Sequence, residues 1–271
     1  MNRMTMAQHN SHAAIKTIVV GLGVTGLSCV RHLKSMGADV AVADNRELPP
    51  GLEELQRLHA DTPVFLGPFD RDLLVSADRL VVSPGVPIAT PEIAAAADAG
   101  VEVVGDVELF ARQVGAPVIA ITGSNGKSTV TTLVGEMARQ SGMRVAVGGN
   151  LGKPALDLLG EDIELYVLEL SSFQLETTES LHAAVATVLN VSPDHMDRYD
   201  SLADYAATKA RVMHGAGVGV LNADDPLVAG MTDAGDRWCF TQGEADDDKT
   251  FGVREIEGEG TDGAGGVAPD A

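Results

Sequence analysis

Short apolar runs recur along this sequence, each followed by glycine or a polar cluster and then by apolar positions three and four residues apart. That alternation predicts strands at 15–20, 39–43, 64–66, 79–83 and 101–104, with helices at 27–36, 52–58 and 91–99 between them. Past Gly105 the same rhythm continues. A helix is expected at 106–114, then a strand from Pro117 that turns at Thr122–Gly126 into a helix reaching Gly142. Further strands are expected at 144–147, 165–170, 184–189 and 217–221, and a helix at 202–214. Strands alternating with helices imply parallel sheets covered on both faces, so the fold class is α/β. Two units are expected, 1–105 and 106–271.

Two glycine turns stand where chemistry would sit. Gly21-Leu-Gly23-Val24-Thr25-Gly26 follows the first strand, and Asp44 ends the second strand about twenty residues on. This spacing fits a pyrophosphate held at a helix N-terminus, and it suits NAD and a UDP-sugar equally. The second turn is Thr122-Gly123-Ser124-Asn125-Gly126-Lys127-Ser128-Thr129. Backbone N–H groups and the positive end of the helix dipole converge there on one spot, and Lys127 adds a full charge for a β/γ-phosphate. Ser128 offers a hydroxyl to Mg²⁺. Ile121 stands where the usual nucleotide loop has its first glycine, so the motif is a shortened variant.

Other polar residues fall at strand ends, the edge where open α/β sheets bind ligands. Ser83-Pro-Gly85 makes a rigid turn. Gly148-Gly-Asn150 follows the strand after the phosphate-loop helix. Glu169 emerges from the apolar run Tyr166-Val-Leu, where an unpaired carboxylate is expensive to bury, and a cation would compensate it. His195 lies between Asp194 and Asp197 in a loop, as either a structural histidine or a ligand. Lys209 sits on an alanine-rich helix face and reads equally well as a solvated lysine.

Composition narrows the field. The 271 residues are 45% hydrophobic but only 4% aromatic, so aliphatic side chains must fill the core. A net charge of −20 argues against nucleic acid or an anionic membrane as partner, while leaving a local phosphate site possible. Salt adaptation is one reading of this charge and an acidic tail another. From about 242 the sequence turns glycine-rich and acidic, with 251–256 as one short strand and a flexible tail after it. Two cysteines, Cys29 and Cys239, provide no disulfide framework and fit a reducing compartment. The first twelve residues lack an apolar core, so no secretory signal is expected, and the expected location is the cytoplasm.

The motifs Thr122–Thr129, Gly148–Asn150, Leu168-Glu-Leu-Ser171-Ser-Phe-Gln174-Leu-Glu176, Asn190 with Asp194-His-Met-Asp-Arg-Tyr199, and Asn222-Ala-Asp-Asp225 together resemble the Mur ligase family. The first glycine turn and Val104-Gly-Asp-Val-Glu-Leu-Phe110 are similar to the branch of that family that adds D-glutamate. The resemblance covers roughly 15–240. It implies a Rossmann-like UDP-binding domain over 1–105, a central P-loop-type ATPase domain from 106, and a third domain for the amino acid. This sequence carries the first and part of the second, so an N-terminal fragment or truncated product is expected.

The implied reaction is ATP-dependent peptide-bond formation in peptidoglycan precursor synthesis, with UDP-N-acetylmuramoyl-L-alanine, D-glutamate and ATP–Mg²⁺ as partners of a monomer. The resemblance also implies residue roles. Gly123, Ser124, Asn125, Gly126, Lys127, Ser128 and Thr129 would hold ATP. Ser128, Glu169, His195 and Lys209 would serve Mg²⁺, with Lys209 as a carbamate. Gly23, Val24, Thr25 and Gly26 would hold the diphosphate. Asp44, Asn45 and Arg46 would lie near the uracil, with Ser83 and Gly85 alongside. Asn150, Ser171 and Gln174 would orient the muramoyl-alanine end. Lys127, His195 and Lys209 would be catalytic. Two other readings stand beside this one: a nicotinamide-dependent oxidoreductase, from the first glycine turn and Asp44, and a non-catalytic fragment that binds UDP-sugar and ATP.

Overall fold

The chain is described by a computed structural model, which places residues 16–253 except 246. Its first half runs β1 (Lys16–Val20), α1 (Val24–Ser35), β2 (Asp39–Asp44), α2 (Leu52–Leu58), β3 (Val64–Leu66), α3 (Arg71–Val75), β4 (Arg79–Val82), α4 (Pro91–Asp98) and β5 (Glu102–Val104). The five strands form one parallel sheet in the order β3-β2-β1-β4-β5. The strand order reverses at β1, with β2 and β3 added on one side and β4 and β5 on the other. The crevice at the carboxyl end of β1 therefore lies between the Gly21 turn and Ser83.

The second half begins with α5 (Asp106–Ala111), then β6 (Val118–Thr122), α6 (Lys127–Gln140), β7 (Val145–Gly149), a 3₁₀ turn at Ala155–Leu158, β8 (Leu165–Glu169) and α7 (Ser172–Leu175). It continues with β9 (Val185–Val188), α8 (Leu202–Ala210), β10 (Val218–Asn222), α9 (Pro226–Ala229), β11 (Asp236–Phe240) and β12 (Thr250–Phe251). Its parallel sheet has the order β12-β11-β10-β9-β6-β8-β7. Ile121 of β6 pairs with Glu169 of β8, and Thr122 pairs with Val188 of β9. The phosphate-type loop after β6 is thus flanked by the ends of two neighbouring strands.

One apolar core crosses between the sheets, taking in Val19 and Leu33 on one side, Val107 and Phe110 on α5, and Ala120 and Leu168 on the other. Polar contacts tie the halves as well. Ser28 and Arg31 of α1 each donate to Asp157 at 2.7 Å, and Arg198 donates to the Pro84 carbonyl at 2.9 Å.

Four expectations need correction. The first helix starts at Val24 rather than 27, because Gly23 is already its N-cap and the turn is tighter than its glycines suggest. The expected helix 202–214 is α8 to Ala210 and then a 3₁₀ turn over Arg211–Met213. The strand β11 is unforeseen, since its Asp-Arg-Trp-Cys-Phe has too little alternation to stand out. The acidic stretch leaves the sheet after Phe240 but returns to it: the Cys239 N–H donates to the Lys249 carbonyl at 2.8 Å, and β12 pairs with β11. Of the expected strand 251–256, Phe251 lies in β12 and Gly252 and Val253 lie in no strand, while 254–256 and the tail expected after them lie outside the described residues.

Gly26 is fixed by space. A Cβ there would lie 1.9 Å from the Gly21 carbonyl oxygen, which is backbone and cannot step aside. Gly26→Ala is expected to cost roughly 3 kcal/mol or prevent folding, as overpacking at a rigid contact does. A denaturant melt checks this, and an unchanged midpoint would show that the turn yields.

Glu108 of α5 is 3% exposed and anchors the segment after α7. It accepts from the backbone N–H groups of Glu179 and Ser180 at 2.8 and 2.9 Å, the Ser180 hydroxyl at 2.7 Å and Arg112 at 2.9 Å. Burial opposes ionisation, but these donors outweigh it and hold the carboxyl down at about 2. The folded pKa is below the unfolded one, so the stability that Glu108 contributes is present above the ordinary carboxylate range. It is lost as pH falls toward 2. Melts from pH 7 to 2 should show this acid loss flattened in Glu108→Gln; identical slopes for the two proteins would remove Glu108 from the account.

Candidate functional site

The phosphate-type loop takes its shape from two directions. Gly126, the N-cap of α6, has φ +79°, a left-handed conformation that glycine adopts without penalty. From the other side, the loop after β9 grips it. Asn190 accepts from the Asn125 backbone N–H at 2.8 Å and donates to the Asn125 carbonyl at 3.0 Å. Ser124 N–H donates to the Asn190 carbonyl at 2.9 Å, and the Ser124 hydroxyl donates to the Ser192 carbonyl at 3.0 Å. Lys127 Nζ donates to the Ser124 carbonyl at 3.1 Å, folded over its own loop. Thr129 follows on the first turn of α6.

Glu169, at the end of β8, is 2% exposed. Its carboxylate accepts from the Ser128 hydroxyl at 2.7 Å through Oε2 and from the Asn150 amide at 2.7 Å through Oε1. A serine hydroxyl touching a buried carboxylate beside a phosphate loop is a hard-oxygen donor set of the kind Mg²⁺ takes. Lys209 is 1% exposed. Its Nζ donates to the Gly123 carbonyl at 2.9 Å and lies 4.4 Å from the centre of the Tyr205 ring. Burial, with Lys127 adding to it and Asp194 opposing, brings its amine down to about 7.

The four residues expected to serve a metal divide. Ser128 and Glu169 touch each other, whereas Lys209 is bonded to the loop carbonyl. His195 has its ring centre 4.8 Å from that of Phe173 and its Nε2 3.5 Å from Asp194. Among the described residues no three His, Cys, Asp or Glu side chains gather to hold a metal ion by themselves.

A cleft of about 780 Å³ lies between the two sheets. Gly23, Val24, Thr25, Asp44, Asn45, Arg46, Ser83 and Gly85 line it from the first half, and Asn150 and Gln174 from the second. Of the residues expected to bind substrate, Gly26 and Ser171 are outside this lining. Gly26 is buried in the turn, and Ser171 caps α7, accepting from the Gln174 N–H at 3.2 Å. Ser83 uses its hydroxyl on the Gly21 carbonyl at 2.8 Å, bracing the turn. Phe69 and Thr90 also border the cleft, and no motif had marked them.

Asp44 decides between two readings of the first turn. It is 1% exposed, and its carboxylate accepts from the Leu22 N–H at 2.7 Å and from Arg46 through the backbone N–H, Nε and Nη2 at 2.9, 2.8 and 2.6 Å. These hydrogen bonds overcome burial and hold the carboxyl below its usual range. A dinucleotide fold uses that acid to receive ribose hydroxyls; here its oxygens already serve protein donors. Residues 15–105 match the description "Mur ligase MurD-like, N-terminal domain", and residues 121–264 match "Mur ligase middle domain". The chain belongs to the Mur ligase family. Nothing in the geometry or the matches supports the oxidoreductase reading.

Relatives sharpen the placement within the Mur ligases. A UDP-N-acetylmuramoylalanine–D-glutamate ligase from Pseudomonas putida is 58% identical over 243 residues, covering 89% of this chain and 54% of that protein. One of the same name from Methylococcus capsulatus is 59% identical over 222 residues, covering 82% and 48%. The chain thus spans about half the length of the curated relatives it matches. Among solved structures, a UDP-N-acetylmuramate:L-alanyl-gamma-D-glutamyl-meso-diaminopimelate ligase from Neisseria meningitides aligns with TM-score 0.56 at 18% identity. It covers 88% of this chain and 83% of that one, a likeness of fold. No helix among the described residues is long and apolar enough to cross a membrane.

Proposed function

We propose that this chain provides the UDP-sugar and ATP sites of a ligase that joins D-glutamate to UDP-N-acetylmuramoyl-L-alanine in peptidoglycan precursor synthesis, with residues 1–105 as the UDP-binding domain and the ATP-binding domain beginning at 106. One observation carries it. Asn150 lines the cleft between the sheets, and its amide also holds Glu169 beside Ser128 of the phosphate loop. A ligand whose far end reaches Asn150 therefore brings that end to the phosphate-transfer centre.

A carboxylate is a poor acyl donor because its leaving group would be oxide. Attack of its oxygen on the γ-phosphorus of ATP expels ADP and makes an acyl phosphate, and the amine of D-glutamate then displaces phosphate. The protein's contribution is position and charge. Lys127 and the loop N–H groups stabilise the phosphates in transfer. Ser128 and Glu169 would hold Mg²⁺, with Lys209 as a carbamate, and His195 would serve a second ion. Bound Mg²⁺ supplies neutralisation of phosphate charge. Gly23, Val24 and Thr25 would hold the diphosphate, with Asn45 and Arg46 at the uracil and Gln174 at the muramoyl-alanine end. The α1 turn and Ser83 shape that pocket, and Asn150 orients both partners.

Calorimetry with UDP-N-acetylmuramoyl-L-alanine, ATP–Mg²⁺ and NADH in parallel tests this. The sugar nucleotide and ATP should bind at separate sites and NADH should not. Tight NADH binding without the UDP-sugar would overturn the proposal.

A further inference from the structure

Asp106 opens α5 one residue past Gly105 and is 1% exposed. Its Oδ2 accepts from Gln174 Nε2 at 3.1 Å, while its Oδ1 meets no hydrogen-bond partner. Burial pushes the carboxyl up to about 6, against the pull of the Gln174 amide. A buried acid this poorly compensated costs stability, and an apolar side chain of its size would not. What it holds is the informative part.

The Gln174 amide is gripped at both ends. The Ser171 backbone N–H donates to its Oε1 at 3.1 Å, and the Ser171 hydroxyl lies 3.3 Å from the same oxygen. A backbone N–H can only donate and an ionised carboxylate can only accept. One amide orientation satisfies both, and its reverse sets oxygen against Asp106 and NH₂ against the Ser171 N–H. Nε2 has two donors, of which Asp106 takes one. The side chain is 3% exposed and borders the cleft.

We infer that Asp106 is a positioning residue: by fixing the Gln174 amide, it makes Gln174 a hydrogen-bond donor toward the cleft and so selects a ligand oxygen there. The inference rests on the cleft being the UDP-sugar site. The muramoyl-alanine end of that ligand carries amide carbonyls and a carboxylate, which are acceptors. Because Asp106 follows directly on the last strand of the first sheet, the same hydrogen bond also ties the ligand's far end to the connection between the sheets.

The test is calorimetry on the whole chain with two probes, UDP-N-acetylmuramoyl-L-alanine and UDP alone. Asp106→Asn keeps an acceptor oxygen and should bind both probes as the unsubstituted chain does. Asp106→Leu releases the NH₂ end of the amide and leaves Ser171 alone to hold it, and its affinity for the sugar nucleotide should fall about tenfold or more, the worth of one misplaced hydrogen bond, with UDP unchanged. Equal binding of both probes by a folded Asp106→Leu overturns the inference, as does an equal loss of both. A second variant covers the case in which Asp106→Leu does not fold. Gln174→Glu combined with Asp106→Asn restores a hydrogen bond between the two side chains but leaves no N–H for the cleft. Its sugar-nucleotide affinity should stay about tenfold down, and full recovery would show that the two residues only hold each other. No binding of either probe by the unsubstituted chain overturns the reading of the cleft and this inference with it. Binding by that chain, with the variants unaffected, overturns the inference alone.

Discussion

Replacing Lys209 with alanine will weaken ATP–Mg²⁺ binding by tenfold or more, and removing CO₂ from the unsubstituted protein will do the same. The reason is the amine's setting. An ammonium beside a divalent ion repels it by about 8 kcal/mol at ~4 Å and an effective dielectric of ~20. Lys209 is buried, and its amine is brought down to about 7, so at pH 8 most of it is neutral. A neutral amine adds CO₂ through its nitrogen lone pair and releases one proton, giving a carbamate whose two oxygens suit a hard cation. ¹³C-labelled bicarbonate should yield a carbamate resonance that Lys209→Ala lacks, and CO₂ removal should leave that variant's affinity as it was. Short carboxylic acids should restore part of the loss. No resonance, together with ATP–Mg²⁺ affinity indifferent to CO₂, would leave Lys209 as a clamp on the Gly123 carbonyl. The unmodified amine has a second signature. Its folded pKa lies below its unfolded value of about 10.5, so the unfolded state binds more protons between pH 7 and that value. Stability should rise with pH across that window.

Lys127→Ala should cost about 100-fold in ATP affinity while leaving UDP-N-acetylmuramoyl-L-alanine binding and the melting temperature nearly unchanged. The lysine's hydrogen bond is to the Ser124 carbonyl within its own loop, and the loop's shape is set by Asn190, Ser192 and Gly126. Little folding energy is therefore lost with it, whereas a phosphate loses a full charge that no neutral side chain replaces. The substitution should also reach Lys209. Lys127 is one of the causes that lower the Lys209 amine, so its removal raises that pKa and reduces the neutral fraction available to CO₂. The carbamate signal should weaken in Lys127→Ala. ATP affinity within about threefold of the parent would remove Lys127 from the phosphate site.

Much of the sheet architecture was legible because period and punctuation agreed: an apolar run, a glycine turn and an amphipathic helix repeat down the chain. The turn between β6 and α6 was legible for the same reason, since its residues are contiguous. What sequence could not show was how separate segments divide their labour. Asp44 looked like a ligand residue, and the structure spends its carboxylate on Leu22 and Arg46. Ser171 looked like a substrate contact, yet Ser171-Ser-Phe-Gln174 is the pattern of a capping box, and that is how it is used. That signal was present and went unread. Asp106 stood inside a motif that pointed to the family but to no role, because its meaning depends on Gln174, 68 residues away. The strand β11 escaped because its burial comes from β10 and β12 rather than from its own pattern.

The interlock between Ser124–Asn125 and Asn190–Ser192 limits how far the phosphate loop can be moved to another protein. A strand, loop and helix cut out as residues 117–142 would carry every residue that sequence motifs credit with phosphate binding. It would leave behind the side chain that fills the Asn125 backbone N–H and carbonyl, and the carbonyls that hold Ser124. Those donors and acceptors would have to find water, and the loop would sample other shapes. The smallest transplantable unit is therefore two strand ends with their loops, whose interlocked residues Asn125 and Asn190 stand 65 positions apart in the chain.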